Sequence, residues 1–165
     1  MKIYVDFDGV ILDTDSILDV EFSKTIDVKR SEFVKNYDWN LLMRNDLIIN
    51  DALENIRKSK YNISLLSKIS SMNEGIAKVN FLRNNEVLIN IHLVPTTINK
   101  SDIVDANENV LIDDKIYNLD KWVEQGGIAI FFNKNGDNTD IYGKVNTKYT
   151  TISSLDILLD DKYFN

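Results

Sequence analysis

Apolar residues along this chain fall into short unbroken runs separated by polar, turn-forming stretches. The first, over residues 2–7, sets Ile3, Tyr4 and Val5 ahead of Asp6-Phe7 and ends in the pair Asp8-Gly9, which predicts a short buried strand closed by a turn. Further strands are predicted over residues 61–66 stopping at Ser67, 87–94 ahead of Pro95, 109–112 ahead of Asp113-Asp114, and 128–132. Between them the apolar spacing becomes helical. Ile49, Ala52, Leu53 and Ile56 share one face, with Asn50, Asp51, Glu54 and Asn55 on the other. Ile76, Ala77, Val79, Phe81 and Leu82 mark a second helix that Asn73 can cap, and Leu119, Trp122 and Val123 a third, stopped by Gly126-Gly127. Ser153 or Ser154 is expected to cap a last helix with Leu155, Leu158 and Leu159 inward.

Strands that are apolar throughout, alternating with helices, belong in a parallel sheet covered on both faces. The expectation is therefore an α/β fold with five parallel strands. Residues 13–46 have no strand-like run and read as short helices and loops inserted into a core built from residues 1–12 and 47–165. There is no internal repeat, and the many asparagines are dispersed.

Charge narrows the chemistry. The 165-residue chain carries a formal net charge of −7, which argues against a nucleic-acid polymer as partner. It has no cysteine and one histidine, His92, so thiolate sites, disulfides and His-rich zinc sites are excluded. No apolar run reaches the length of a membrane span. Met1-Lys2 leads straight into the first strand with no leader pattern, so a cytoplasmic enzyme is expected. Its catalysis must come from carboxylates, hydroxyls, lysines and an oxygen-ligated metal.

In parallel sheets ligands bind beyond the carboxyl ends of the strands. Here those ends carry Asp6 and Asp8, Ser67, and Asp113-Asp114, with Lys78 on the helix after Ser67. For these groups to act together the first strand must lie between the second and the fourth. Asp6 can then ligate Mg2+ and present an oxygen to phosphorus, while Asp8 offers its carbonyl to the metal and its side chain as acid and base. Asp113 and Asp114 add hard oxygen ligands. Ser67 and Lys78 supply a donor and a positive charge for phosphoryl oxygens, with Lys100 as an alternative source of that charge.

The string Asp6-Phe7-Asp8-Gly9-Val10, followed in order by Ser67, Lys78 and Asp113-Asp114, resembles the four motifs of the haloacid dehalogenase superfamily. Leu111 to Lys115 with Asn118 is similar to the 5′(3′)-deoxyribonucleotidase branch. That resemblance implies a Rossmann-like core, a small helical cap in residues 13–46 and an aspartyl-phosphate intermediate. The implied metal ligands are Asp6, the Asp8 carbonyl and Asp114, with Asp113 in a supporting or direct position. The implied substrate is a small phosphomonoester, first a deoxyribonucleoside monophosphate and otherwise another small phosphorylated metabolite. Serine stands at position 67 where threonine is common, and Lys115 where the branch often has arginine.

Competing expectations remain for several residues. His92 and Trp122 read as structural, Tyr37 and Trp39 as packing or as a platform for a substrate base, and Arg57-Lys58-Ser59-Lys60 as a solvated helix end. A homo-oligomer and a catalytically idle metal- or partner-binding module stay open.

Overall fold

The structure, a computed structural model, describes residues 1–164; Asn165, the last residue of the expected core, lies outside the described residues. The apolar runs form β1 (Ile3–Val5), β2 (Ile63–Ile69), β3 (Asn90–Pro95), β4 (Val110–Asp113) and β5 (Ile128–Phe132). A further short strand, β6 (Thr150–Ile152), completes one sheet in the order β3-β2-β1-β4-β5-β6. Every pairing is parallel. As expected, β1 lies between β2 and β4. The sheet has six strands among the described residues, not the expected five, because Thr150–Ile152 adds to the outer edge of β5 through Phe131↔Thr151 and its neighbours. Three residues with two threonines have no apolar run to announce them.

The sheet buries both faces, which explains the unbroken runs. Ile3, Val5, Leu65, Val110, Ile112, Ile130 and Phe132 point to one side. There they meet α3 (Ala52–Lys58), α4 (Met72–Asn84) and the 3-10 turn Leu155–Leu159. Tyr4, Leu66, Leu111 and Phe131 point to the other side, against Ile116, Leu119 and Trp122 of α5 (Ile116–Val123). Trp122 is core as expected, its indole N–H donating to the Asn109 carbonyl at 3.0 Å. His92 packs edge-on against Tyr4 in keeping with a structural role, and burial pushes its imidazole below the usual range.

Local details depart from the sequence pattern. The cap of α4 is Ser71, whose Oγ accepts from the Glu74 N–H, while Asn73 accepts from the Trp39 N–H at 2.9 Å. Ile76, expected inside, is exposed, and Lys78 occupies the buried face. The last helix is a 3-10 turn capped by Ser154, with Leu155 and Leu158 buried and Leu159 exposed. Val123 is likewise exposed. The basic stretch at the end of α3 is engaged: Arg57 donates to the Asn85 carbonyl, Lys58 pairs with Glu54 and Lys60 with Asp161.

Between β1 and α3 the chain forms α1 (Thr14–Phe22), α2 (Arg30–Asn36) and two 3-10 turns, Trp39–Leu42 and Asn45–Leu47. Leu18, Trp39 and Leu42 build a separate small cluster that also takes in Ala77 of α4, flanked by Ile17, Phe33, Val34 and Tyr37. Tyr37 packs on Phe33, the ring centroids 5.4 Å apart.

Away from this region, Asp120 ties the connection between β5 and β6 to α5. It accepts from Tyr149 Oη (2.6 Å), Lys144 (2.6 Å) and Lys148 (3.3 Å). Burial pushes the Asp120 carboxyl up, but these donors outweigh it and hold the group down at about 2. Since the folded value lies below the ordinary 3.8, the stabilisation is complete above that value and lost as pH falls through about 2. Asp120→Asn is expected to cost about 1 kcal/mol at neutral pH after solvent screening. Thermal melts should show the gap between variant and parent closing between pH 4 and pH 2.

Candidate active site

Asp6 follows β1 directly, its N–H donating to the Ile112 carbonyl at 3.0 Å, so the β1–β4 ladder runs up to the carboxylate. The register pairs Val5 with Ile112, which sets Asp113 and Asp114 beside Asp6. One carboxylate oxygen from each of the three lies within 4.8 Å of the others, and all three side chains are buried. The tight turn after Phe7 needs Gly9 at φ +72°, and a Cβ there would stand 2.3 Å from Asp114 Oδ2. Gly9→Ala is therefore expected to displace Asp114 and strain the turn, lowering divalent-metal affinity roughly tenfold to a hundredfold. Calorimetric titration with Mg2+ checks this, and unchanged affinity would separate Asp114 from the metal.

The oxygens of the three carboxylates differ in what they already hold. Asp113 is saturated: Oδ1 accepts from the Lys115 N–H (2.8 Å) and Asn118 Nδ2 (3.1 Å), and Oδ2 from Lys100 Nζ (2.6 Å) and Asn118 Nδ2 (3.0 Å). Asp6 Oδ1 accepts from the Phe7 N–H at 2.8 Å, and its Oδ2 lies 3.0 Å from Lys100 Nζ. Asp114 Oδ2 is buried with no partner. A buried carboxylate oxygen without a donor is costly unless something fills the place, and three hard oxygens around it suit a divalent cation. Asp6 and Asp114 can hold such an ion directly, with Asp113 positioning Lys100 and Asn118 beside them.

Electrostatics follow the same division. Burial pushes the Asp6 carboxyl up, but Lys100, Lys115 and Lys78 with the Phe7 N–H outweigh it and hold Asp6 below the usual range. Asp114 is pushed well up by burial, against Lys115, with Asp113 and Asp6 adding to the rise. Burial also raises Asp113, with Lys100 pulling against it. Lys115 spans the entrance, its Nζ 3.4 Å from Asp114 Oδ1 and 3.5 Å from Asp15 Oδ2. Burial alone would lower that ammonium, but Asp114 and Asp15 hold it well above the usual lysine range.

Asp8 occupies a second knot. Its Oδ1 accepts from Thr14 Oγ1 at 2.7 Å and its Oδ2 from Lys78 Nζ at 2.5 Å. Lys78 is wholly buried and also donates to Glu74 Oε1 (2.7 Å), Ser67 Oγ (3.1 Å) and the Lys68 carbonyl (3.1 Å). Burial works against this ammonium, but Asp8 and Glu74 hold it above the usual range. Its place beside Trp39 (4.9 Å to the ring centroid) joins the knot to the segment between β1 and α3.

The candidate site residues Asp6, Asp8, Ser67, Lys78, Lys100, Asp113 and Asp114 thus meet at one end of the sheet, in two groups. Lys100, not Lys78, stands against Asp6 and Asp113, whereas Lys78 stands against Asp8 and reaches Ser67 on its other side. Ser67 lies inside β2, which runs on to Ile69, and is fully buried. Sequence reasoning missed Thr14 and Glu74; the Glu74-to-Lys78 spacing of one helical turn was the available signal. A cavity of about 1150 Å3 opens over both groups, lined by Asp6, Asp8 and Lys115 below and by Arg30, Val34 and Trp39 above.

No protein-family model and no curated protein matches the chain. Solved structures do match. A protein assigned as a haloacid dehalogenase-like hydrolase from Burkholderia xenovorans superposes with a TM-score of 0.61 at 13% identity, over 99% of this chain and 97% of its own. The D,D-heptose 1,7-bisphosphate phosphatase of Burkholderia thailandensis gives 0.57 at 15% identity, over 96% of each chain. A haloacid dehalogenase-like hydrolase from Streptococcus pneumoniae gives 0.57 at 10% identity, over 99% and 98%. The fold is that of the haloacid dehalogenase-like hydrolases. Within a haloacid dehalogenase-like fold, the carboxyl ends of β1 and β4 are where this chain gathers Asp6, Asp8, Asp113 and Asp114. None of its helices, among the described residues, is long and apolar enough to cross a membrane.

Proposed function

We propose that the chain hydrolyses small phosphomonoesters by a metal-dependent, two-step mechanism in which Asp6 is the nucleophile. The observation that supports this most is the buried trio of Asp6, Asp113 and Asp114 with Asp114 Oδ2 unpartnered, next to an Asp8 fixed by two donors. Asp6, Asp114 and the Asp8 carbonyl would hold Mg2+, which would neutralise the incoming phosphate. Lys100 holds the Asp6 carboxylate in its ionised form and in place. Asp6 attacks phosphorus as the bond to the leaving oxygen breaks, and Asp8 gives that oxygen its proton. Asp8 then takes a proton from the water that cleaves the aspartyl phosphate. Thr14 and Lys78 hold Asp8 in line for both transfers, and Lys78 offsets the charge it carries between them. In this reading the α1–α2 segment is a small cap over the cavity.

The test is turnover of p-nitrophenyl phosphate with and without Mg2+, followed by a screen of phosphomonoesters. Deoxyribonucleoside monophosphates, the class implied by the sequence resemblance, form one arm of the screen and small phosphorylated metabolites the other. No turnover of any ester with Mg2+ present would leave a metal- or partner-binding module.

A further inference from the structure

Among the cations lining the cavity, Lys68 stands apart. Arg30 pairs with Asp19 (2.6 Å) and Lys115 with Asp114 and Asp15. Lys35 of α2 lines the cavity too, but it is exposed and its charge stays solvated. Lys68 is half-buried, lines the cavity, and among the described residues has no carboxylate within ion-pair distance. Its ammonium lies instead 5.7 Å from the centre of the Tyr117 ring, a contact that offsets only part of the cost of drying a charge. Its backbone is pinned at the reaction centre: the Lys68 carbonyl accepts from Lys78, and Lys68 pairs in register with Val94 of β3. The side chain lines the same cavity as Asp6 and Asp8 and ends beside Tyr117, which is half-exposed. Burial and the Lys100 charge hold its ammonium below the usual lysine range, the direction expected of a cation with no counter-ion beside it. On the α2 side of the cavity, Arg30 Nη1 is also buried without a partner.

We infer that Lys68, with Tyr117 beside it, forms a specificity subsite for a second anionic group, so that the substrate carries a phosphate or carboxylate in addition to the phosphoryl group transferred at Asp6. The inference rests on the phosphatase reading for its substrate, and it narrows that substrate away from nucleoside monophosphates, which have one anionic group. Lys68 is a binding residue here and takes no part in the bond changes.

Three non-hydrolysable ligands of matched length test this by calorimetry on the full chain in excess Mg2+: propylphosphonate, 3-phosphonopropionate and propane-1,3-diphosphonate. At least one doubly anionic ligand should bind about tenfold tighter than propylphosphonate, and which one does so tells a carboxylate from a second phosphate. Lys68→Met should abolish that advantage and Lys68→Arg should keep it. Equal affinities for all three ligands in the parent protein would overturn the subsite. So would a Lys68→Met effect as large on propylphosphonate as on the others, since Lys68 would then serve the transferred group. Undetectable binding of both doubly anionic ligands also overturns it. Failure to hydrolyse p-nitrophenyl phosphate with the binding advantage intact would instead fall on the phosphatase reading, because binding is measured without turnover.

Discussion

Asp6→Asn is expected to reduce turnover of p-nitrophenyl phosphate by roughly four orders of magnitude or more, because an amide offers no anionic oxygen to phosphorus. The fold should survive the change. Asparagine keeps the shape of the side chain and can still accept from the Phe7 N–H, while Lys100 retains Asp113 at 2.6 Å. Phosphate should bind at least as well, since one negative charge has left the site. A thermal melt beside the rate measurement separates loss of chemistry from loss of structure. Near-parental turnover in a folded Asp6→Asn protein would end the covalent mechanism, whatever else the site does.

Removing the metal should be as severe and equally clean. Excess EDTA is expected to lower activity by about three orders of magnitude or more, the scale of the charge stabilisation a divalent ion supplies to phosphoryl transfer. The chain should stay folded, because the two main apolar clusters on the sheet faces contain none of the carboxylates. Manganese should restore turnover, and calcium should not, its larger and looser coordination misplacing Asp6 for in-line attack. Full activity in EDTA would show that Asp114 Oδ2 is left bare for some other reason.

These expectations draw on different levels of the molecule. Much of the framework was legible in the residues alone. Apolar runs such as Ile3–Val5 and Val110–Ile112 could be satisfied only by strands covered on both faces, so a parallel sheet with helices on either side followed. Asp6 and Asp113-Asp114 close those runs, and a parallel sheet brings its strand ends to one edge. Hence their meeting was visible before any coordinate. The last strand was not, since Thr150–Ile152 owes its form to pairing with β5 and has little preference of its own.

The division of labour inside the site belongs to the tertiary structure. Lys78 and Lys100 are both lysines near polar strand ends, and nothing local tells which one reaches Asp6. That depends on packing between segments far apart in the chain: 70 residues separate Lys78 from Asp8, whereas Lys100 lies 13 before Asp113. The same holds for the inward face of α4. Its pattern favours Ile76 inside, yet Lys78 is buried because Asp8 and Glu74 are there to neutralise it. Lys68 is the converse case, a lysine at a strand end for which the fold supplies a ring and, among the described residues, no carboxylate within ion-pair distance. The sequence by itself thus determined the sheet, its two apolar faces and the acidic edge, because burial and backbone pairing are read from residue type and period. Which cation meets which carboxylate, which oxygen is left bare and which charge faces an open cavity were decided only by the tertiary structure, because Coulomb energy depends on distances that no stretch of sequence contains.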